Sequence, residues 1–290
     1  MTDFNDNSSH NLLNISEALR HGRTILAATS DTASLDTEIL LCFVLSCKTA
    51  YLYTYTEKNL TNYQREMFNN LINSRKAGTP IAYLTNHQEF WSLPLLVSNK
   101  TLIPRPETEL LVEKSLNFLD KDKNNQVLDL GTGSGAIAIA IAKSRPNWDI
   151  IAVEKSHDAM AVAKENARNL QINNIKFISS DWFSEIDELR FTLIISNPPY
   201  IAADDRHLSE GDVRFEPREA LISGANGLED LEYIIKHSYH HLVNGGMLLL
   251  EHGFQQGEAV CKLLVEHGYT QVTCFPDLQW NNRVSFGLKL

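Results

Sequence analysis

Strand-like and helix-like segments alternate from residue 126 onward, and this alternation constrains the fold more than any other feature of the chain. Most of the predicted strands are short apolar runs followed by a helix-length segment. Strands are predicted at residues 126–130, 149–153, 175–178, 191–196, 247–252, 271–275 and 284–289, and helices at 136–143, 157–170, 231–242 and 258–266. Repeated strand-then-helix units imply an α/β fold with a parallel sheet covered on both faces. Residues 276–283 are too few for a crossover helix, so the final strand should run antiparallel.

Residues 1–80 predict a small helical bundle. A helix should start near Asn14, with Glu17 as its capping-box partner. Two apolar stripes are predicted to face the bundle core, one formed by Leu35, Ile39, Cys42, Phe43 and Ser46, the other by Leu60, Tyr63, Met67, Leu71 and Ile72. Residues 81–104 contain two β-prone runs, which predict a β-hairpin linker. Residues 105–290 then form the α/β domain, opening with a helix at 108–119.

Charge and composition restrict the partners. The chain has 290 residues and a net charge of -10, most of it in residues 105–290. An acidic domain disfavours stable, phosphate-driven binding to nucleic acid and favours a protein or small-molecule substrate. Residues 1–10 lack a signal-peptide profile and no apolar run is long enough to span a bilayer, so a cytoplasmic protein without membrane attachment is expected. The four cysteines are scattered, which favours reduced thiols over a metal site.

Four residues, Asn197, Pro198, Pro199 and Tyr200, end the predicted strand at 191–196. The two prolines remove ladder donors, so carbonyl groups and the Asn197 carboxamide face the space beyond the sheet. Such a corner can bind a planar NH2 group, because the Asn197 side-chain oxygen and the Pro198 carbonyl accept its two hydrogens while the Tyr200 ring covers its face. The alternative is a strand that simply ends in a turn. The second proline, the aromatic residue and the nearby glycine loop favour the binding corner over this alternative.

That glycine loop joins the first predicted strand of the sheet to a helix, where open α/β sheets bind ligands. It consists of Gly131, Thr132, Gly133, Ser134 and Gly135. Glycines allow a ligand to approach the backbone closely, and the helix N-terminus offers free N–H groups. With Ala136 the spacing also satisfies a dinucleotide fingerprint, so NAD is an alternative cofactor.

The 197–200 corner decides between these cofactors. Glu154 ends the next strand, but a carboxylate there could bind ribose hydroxyls of either NAD or S-adenosylmethionine. Methyl transfer to a planar nitrogen uses an NH2-binding corner, whereas hydride transfer does not, so S-adenosylmethionine is favoured. Asp181 and Trp182 predict an adenine site, with the carboxylate facing the exocyclic amine and the indole packing on the ring. A half-buried packing role is the alternative for Trp182. Asn197 is assigned to both the cofactor and the substrate.

Several motifs along the chain resemble the bacterial release factor glutamine methyltransferase family. They comprise residues 80–84, 89–90, 102–109 (LIPRPETE), the glycine loop, 181–183 (DWF), the 197–200 corner, 216–217, 227–228 and 283–284. The resemblance runs from about residue 10 to the C-terminus in the order of the family. It implies a substrate-recognising helical bundle, a β-hairpin linker and a seven-stranded, Rossmann-like class I methyltransferase domain. It also implies N5-methylation of the glutamine in the Gly-Gly-Gln motif of class I peptide chain release factors, which modulates translation termination.

By this resemblance, Gly131 to Gly135, Glu154 and Trp182 would contact the cofactor, and Asn197 to Tyr200 would hold the substrate glutamine. The chain departs from the family pattern at Asn86, where Gly is usual, at Asn282, where Asp is usual, and at Glu154, where Asp is commoner.

Three other functions stay open. A nucleic-acid adenine-N6 methyltransferase could use the same corner, because adenine carries an NH2 group on a flat ring; the enzyme would have to flip the base out of the helix. A ribosomal-protein glutamine methyltransferase is a closer alternative in sequence. That family is expected to have Pro-Arg-Ser-Pro at the position where residues 104–107 of this chain are Pro-Arg-Pro-Glu. A non-catalytic cofactor-binding module would bind the cofactor without transferring a methyl group.

Overall fold

The structure is a computed structural model that describes residues 13–290. Its contacts divide the chain into two compact units, one ending at Thr85 and one spanning Asn86–Leu290. The domain boundaries expected after residues 80 and 104, and the role assigned to the first domain, stay predictions. Residues 1–10, whose composition entered the expectation about a signal peptide, lie outside the described residues.

The first unit is helical, as the sequence predicted. Its helices are α1 (Ile15–Leu26), α2 (Ala33–Leu45), α3 (Thr49–Thr54), α4 (Asn62–Lys76) and α5 (Ile81–Thr85). The predicted capping box starts α1: the Asn14 side chain accepts from Glu17 N at 2.8 Å, and the Glu17 carboxylate accepts from Asn14 N at 3.0 Å. These two hydrogen bonds satisfy backbone donors that a helix start leaves free.

The two predicted core stripes of this unit were partly wrong. In α2, Leu35 and Ile39 are exposed, and the buried positions are Asp36, Thr37, Leu40 and Leu41. Because α2 is apolar around much of its circumference, its periodicity did not define one buried face. Asp36 can be buried because it accepts a hydrogen bond from Arg75 at 2.7 Å.

A similar error affects α4. Tyr63 is exposed, whereas Phe68, which the stripe omitted, is fully buried beside Ile72. The predicted stripe starts at Leu60, which lies before the first residue of the helix, so the helical spacing could not be counted from it.

The second unit opens with a β-hairpin of β1 (His87–Phe90) and β2 (Leu93–Leu96), which pair antiparallel. The strands begin two residues earlier than the β-prone runs at 89–91 and 95–97. Trp91 and Ser92 form the turn with φ of 53° and 56°. Asn86 also has a positive φ, 56°. Asparagine is one of the few residues that tolerate this conformation, which accounts for the departure from the usual glycine.

The main sheet has seven strands, as predicted. They are β3 (Gln126–Leu130), β4 (Asp149–Glu154), β5 (Ile175–Ser179), β6 (Phe191–Ser196), β7 (Leu242–Glu251), β8 (Thr270–Pro276) and β9 (Asn282–Leu288). Their order in the sheet is β5-β4-β3-β6-β7-β9-β8, and β3 to β7 pair in parallel. The last strand, β9, runs antiparallel between β7 and β8, which confirms the predicted direction.

Helices cover both faces of this sheet, so the predicted α/β fold is confirmed. They are α6 (Glu109–Phe118), α7 (Ala136–Ser144), α8 (His157–Asn169), α9 (Glu229–His241) and α10 (Gly257–Glu266). Successive residues of β3 point to opposite faces: Val127 belongs to one apolar cluster and Leu128 to the other. Within residues 13–290, no helix has the length and hydropathy needed to cross a bilayer.

Candidate active site

The carboxyl ends of the parallel strands bring the predicted site residues to one edge of the sheet. Leu130 at the end of β3 pairs with Val153 of β4 on one side and with Ser196 of β6 on the other. Adjacent strands lie about 4.8 Å apart, so the residues that follow them are neighbours. The Ser196 hydroxyl also donates to the Leu130 carbonyl at 2.7 Å. The glycine loop therefore begins between Glu154 and Asn197.

The glycine loop has a backbone that only glycine adopts without strain. Its three glycines have positive φ: 71° at Gly131, 57° at Gly133 and 84° at Gly135. Gly133 N donates to Glu154 Oε2 at 2.9 Å, and a Cβ at Gly133 would meet nothing within 4 Å. The space in front of Gly133 is therefore open for a ligand, and Glu154 lies beside it.

Buried side chains hold the glycine loop from the opposite side. The Thr132 hydroxyl donates to Asp129 Oδ2 at 2.6 Å, and burial raises the pKa of Asp129 to about 6. Asn166 donates to the Ser134 carbonyl at 2.9 Å. The same Asn166 side chain pairs with both backbone groups of Leu96, accepting at 2.6 Å and donating at 2.9 Å. One buried amide thus joins the loop to the β-hairpin.

The two residues of the predicted adenine site lie at the end of β5. The Trp182 ring packs over Gly131, 3.3 Å from the position a Cβ would take there. This half-buried ring is compatible with both the adenine role and the packing role. Asp181 forms an ion pair with Lys155 at 2.7 Å, in which both side chains are more than half exposed. Surface pairs of this kind contribute little to stability, so the pair leaves Asp181 available to a ligand.

At the end of β6, Asn197 is held in one orientation. Its Nδ2 donates to Thr108 Oγ1 at 3.2 Å. With Nδ2 on Thr108, the carboxamide oxygen is the atom left to accept from a ligand. The Tyr200 hydroxyl donates to Glu251 Oε1 at 3.3 Å, and burial raises the pKa of this phenol. Residues from two distant segments therefore shape the corner.

The backbone of this corner is supported from behind. The Tyr200 carbonyl accepts from Gln256 Nε2 at 3.0 Å. Gly227 has a φ of 77°, and a Cβ there would collide with the Tyr200 carbonyl oxygen. This contact explains the glycine of the 227–228 motif physically. Pro198 is buried, and Pro199 and Tyr200 are half-buried.

Glu251 and Thr108 were not identified from the sequence as site residues. Glu251 is the last residue of β7 and is buried, and burial raises its pKa to about 7. The neighbouring Thr108 hydroxyl and Arg283 oppose this shift. The sequence did contain a signal for Glu251, since an acidic residue at the carboxyl end of an apolar strand is unusual in a buried position.

A second buried carboxylate connects two of the quoted motifs. Glu216 forms an ion pair with Arg105 and accepts from Ile103 N at 3.1 Å. Burial raises the pKa of Glu216, and Arg105 counteracts that shift. The pair therefore fastens the segment before α6 to the segment that follows the corner.

A solved structure has a similar fold, and a family match adds the class of protein. A methyltransferase from Pyrococcus furiosus is similar, with a TM-score of 0.52 and 18% identity, covering 79% of this chain and 99% of that chain. Residues 106–212 match the Methyltransferase small domain family. The seven-stranded α/β fold and the match to the Methyltransferase small domain family together identify a class I methyltransferase domain. The chain is therefore an enzyme of that class.

Curated relatives narrow this class to one family. Residues 17–85 match the PrmC N-terminal domain family. The release factor glutamine methyltransferase of Shewanella oneidensis is 47% identical over 94% of this chain and 95% of its own length. The enzyme of the same name from Salmonella typhimurium is 50% identical over 89% of this chain and 93% of its own. The chain belongs to the release factor glutamine methyltransferase family.

Proposed function

We propose that this enzyme transfers the methyl group of S-adenosylmethionine to the side-chain amide N5 of the glutamine in the Gly-Gly-Gln motif of class I peptide chain release factors, and so modulates translation termination. The observation that carries the proposal is the orientation of Asn197. Its Nδ2 is engaged by Thr108, so its oxygen can accept a hydrogen from a planar NH2 group. The names of the relatives support a release factor as the protein that carries this amide.

The residues around the glycine loop fit S-adenosylmethionine. The open space at Gly133 admits a ligand close to the backbone, and the Glu154 carboxylate beside it can accept from ribose hydroxyls. Asp181 and Trp182 would hold the adenine, the first by accepting from its amine and the second by stacking. When bound, S-adenosylmethionine would supply an activated methyl group: its S–CH3 bond would break as the N–CH3 bond forms, S-adenosylhomocysteine would leave, and the amide nitrogen would release one proton.

The corner would act on the acceptor amide by orientation and electrostatics. An amide nitrogen is a poor nucleophile because its lone pair is delocalised, so it must be aligned with the methyl group and allowed to pyramidalise. The Asn197 oxygen and the Pro198 carbonyl would hold both amide hydrogens, with the Tyr200 ring against the amide face. Both oxygens also stabilise positive charge that develops on the nitrogen.

The test is a labelling experiment with three acceptors. The enzyme is incubated with methyl-labelled S-adenosylmethionine and either a class I release factor, its Gln→Ala variant in Gly-Gly-Gln, or oligonucleotides. Label should appear on the unaltered release factor alone, since an acidic domain is not expected to bind nucleic acid stably. Label on the oligonucleotides, or on the variant that lacks the glutamine, would overturn the proposal. Ribosomal proteins as a fourth acceptor distinguish the related glutamine methyltransferase activity.

A further inference from the structure

Three large apolar side chains are exposed on two turns at the sheet edge that carries the candidate site. Leu278 is fully exposed, Trp280 is 86% exposed and Phe254 is 55% exposed. These three rim residues lie in two turns: Leu278 and Trp280 between β8 and β9, and Phe254 between β7 and α10. Single exposed apolar residues are ordinary on a protein surface. The rim residues are therefore informative only if their turns are joined to each other and to the site.

Strand pairing places both turns at the same sheet edge as the corner. Leu250 of β7 pairs with Ser196, the residue before Asn197, on one side and with Ser285 of β9 on the other. Because β9 runs antiparallel to β7, the residues that precede Ser285 extend past the carboxyl end of β7. The turn between β8 and β9 therefore lies two strands from the corner, about 10 Å across the sheet.

The turn that carries Phe254 is bonded directly to the corner. Gly253 N donates to Gln256 Oε1 at 2.8 Å, and Gln256 N donates to the Gly253 carbonyl at 2.9 Å. Phe254 lies between these two bonded residues. Gln256 Nε2 also donates to the Tyr200 carbonyl at 3.0 Å, so one side chain holds both the turn and the corner.

The turn that carries Leu278 and Trp280 is closed by Asp277. The Oδ1 atom of Asp277 accepts from Gln279 N at 2.9 Å and from Asn281 N at 3.0 Å. The backbone N of Asp277 donates to the Asn281 carbonyl at 2.8 Å. These hydrogen bonds hold the turn in one conformation, so its two apolar side chains are presented from a defined backbone.

One arginine joins the two turns. Arg283 Nη2 donates to Asp277 Oδ2 at 3.4 Å, and Arg283 Nη1 donates to the His252 carbonyl at 3.2 Å. His252 N donates to the Arg283 carbonyl at 3.0 Å. His252 precedes Gly253, the first residue of the other turn. The rim residues are thus carried by a single hydrogen-bonded frame that includes the corner.

The backbone conformation of Trp280 does not favour a tryptophan. Its φ of 65° lies in the left-handed region, which glycine adopts freely and a bulky residue adopts only at a cost. Its ring is mostly exposed, so burial within the described chain recovers little of that cost. Strained residues cluster where proteins bind ligands and partners, and this one lies near the candidate site.

The chemistry of the rim residues fits a polypeptide partner. Trp and Phe are enriched at the centres of protein interfaces, and their flat rings can cover peptide planes. The Gly-Gly-Gln motif has two glycines without side chains, so its backbone is open to such contacts. An extended peptide spans about 10 Å in about three residues. The segment beside a glutamine held at the corner would therefore reach the turn between β8 and β9.

We propose that Phe254, Leu278 and Trp280 form a docking surface for the polypeptide segment of the release factor that lies beside the acceptor glutamine. The inference deepens the proposed function and rests on it. The rim residues hold the substrate segment, while Asn197 orients the acceptor amide. KM for the release factor should therefore depend on the rim residues, whereas kcat and the Kd of S-adenosylmethionine should not.

The first test is a substitution that separates substrate binding from folding. Trp280→Gly removes the ring, and its free energy of unfolding should change little, because relief of the left-handed conformation offsets the greater freedom of the unfolded chain. KM for a class I release factor should nevertheless rise roughly 10-fold, as for an aromatic residue at the centre of an interface. An unchanged KM would overturn the proposal. So would a loss of stability that accounts for the rise in KM.

Matched variants test whether the effect belongs to this surface. Phe254→Ser and Leu278→Ser should each raise KM and leave kcat near the wild-type value. Val265→Ser is the control, because Val265 is 61% exposed but lies about 12 Å along α10 from Gly257, the end of the helix near the site. A rise in KM for Val265→Ser equal to that of the rim variants would contradict a specific docking surface.

The fluorescence of Trp280 measures contact without methyl transfer. The difference between the emission of the wild type and that of Trp280→Phe isolates this residue from the other tryptophans. With S-adenosylhomocysteine bound, addition of the release factor should shift the difference spectrum to shorter wavelength as the exposed ring is covered. No shift, while the wild type methylates the release factor, overturns this inference and leaves the proposed function intact. A wild type that methylates no release factor rejects the proposed function, and this inference with it.

A second copy of the chain is the other occupant that the experiments distinguish. Sedimentation of the wild type and of Trp280→Gly is compared at the concentrations used for the kinetics. A wild-type dimer that Trp280→Gly dissociates would make the rim residues a contact between copies and would overturn the proposal. The same oligomeric state in both proteins supports a surface that is free for the substrate.

Discussion

The glycine loop and the 197–200 corner lie side by side at the sheet edge, but they are built in different ways. The loop owes its shape to three glycines within five residues, each with a positive φ. The corner owes the orientation of its side chains to hydrogen-bond partners that lie 89 and 51 residues away in the sequence. A ligand-shaped backbone can thus be encoded locally, whereas an oriented functional side chain depends on the assembled sheet.

The largest expected effect falls on the corner alone. Asn197→Ala removes the oxygen that accepts from the acceptor amide, and should raise the activation barrier by about 3 kcal/mol, as for other preorganised hydrogen bonds. Binding of S-adenosylmethionine, measured by calorimetry, should be retained because the glycine loop is unchanged. Exposed Asn169 offers the control Asn169→Ala. Near-normal turnover of Asn197→Ala would remove the functional distinction between loop and corner.

A pH effect on stability tests the buried support of the glycine loop. Burial raises the pKa of Asp129 from 3.8 to about 6, so the folded state holds this proton more tightly than the unfolded state. The corresponding stability is present below pH 3.8 and is lost as the pH rises through 6. Between pH 4 and pH 7 the unfolding free energy should decline less in Asp129→Asn than in the wild type, by on the order of 2 kcal/mol.

Denaturant unfolding at several pH values measures this difference. Asp122→Asn, at an exposed position, is the control and should decline as the wild type does. If the unfolding free energy of Asp129→Asn changed with pH as that of the wild type does, the pKa of the Asp129 carboxyl group would not be raised in the folded protein.

A third substitution tests whether the conformation of the glycine loop depends only on its own glycines or also on residues distant in the sequence. Asn166→Ala removes the buried amide that pairs with Leu96 and Ser134, leaving their backbone groups unsatisfied, and should cost about 2 kcal/mol of unfolding free energy. Cofactor affinity should fall less than stability does, because the positive-φ glycines remain. An equal loss in affinity would mean that the loop, too, depends on long-range partners.

The smallest expected effect separates backbone strain from ligand contact. Gly133 and Gly245 both have positive φ and open space where a Cβ would lie. Alanine at either position should cost about 1–2 kcal/mol of stability from the left-handed conformation. Only Gly133→Ala should also weaken S-adenosylmethionine binding, because its Cβ would enter the proposed cofactor space. Equal affinities of the two variants would place the cofactor elsewhere.

Much of the fold was predictable because its signals are short in range. The capping box of Asn14 and Glu17 needs only four residues, and the short segment before β9 excluded a parallel connection. Both predictions are confirmed. The buried face of α2 was not predictable, because an apolar helix has several possible faces. Its burial is decided by partners such as Arg75, which binds Asp36 from another helix.

The candidate site divides along the same line. The positions of the glycine loop, Glu154 and Asn197 at neighbouring strand ends could be expected from the alternation of strands and helices, and their roles stay predictions. The acidic residue at the end of an apolar strand was a signal for Glu251, but the contacts of Glu251 and Thr108 with the corner could not be expected. Thr108 precedes α6 and Glu251 ends β7, and nothing in the local sequence relates either residue to Asn197.

By itself, the sequence determined the order of strands and helices, the glycine loop and the polar group that ends β6, because periodicity, glycine content and proline positions act on neighbouring residues. Only the tertiary structure decided which way the Asn197 carboxamide points, since that depends on the Thr108 hydroxyl, and only the tertiary structure placed the Tyr200 hydroxyl on the buried Glu251 carboxyl group. Parallel pairing of β6 with β7 places Glu251 beside the corner. A hydrogen bond has direction as well as distance, and its direction is fixed only when both partners are in place.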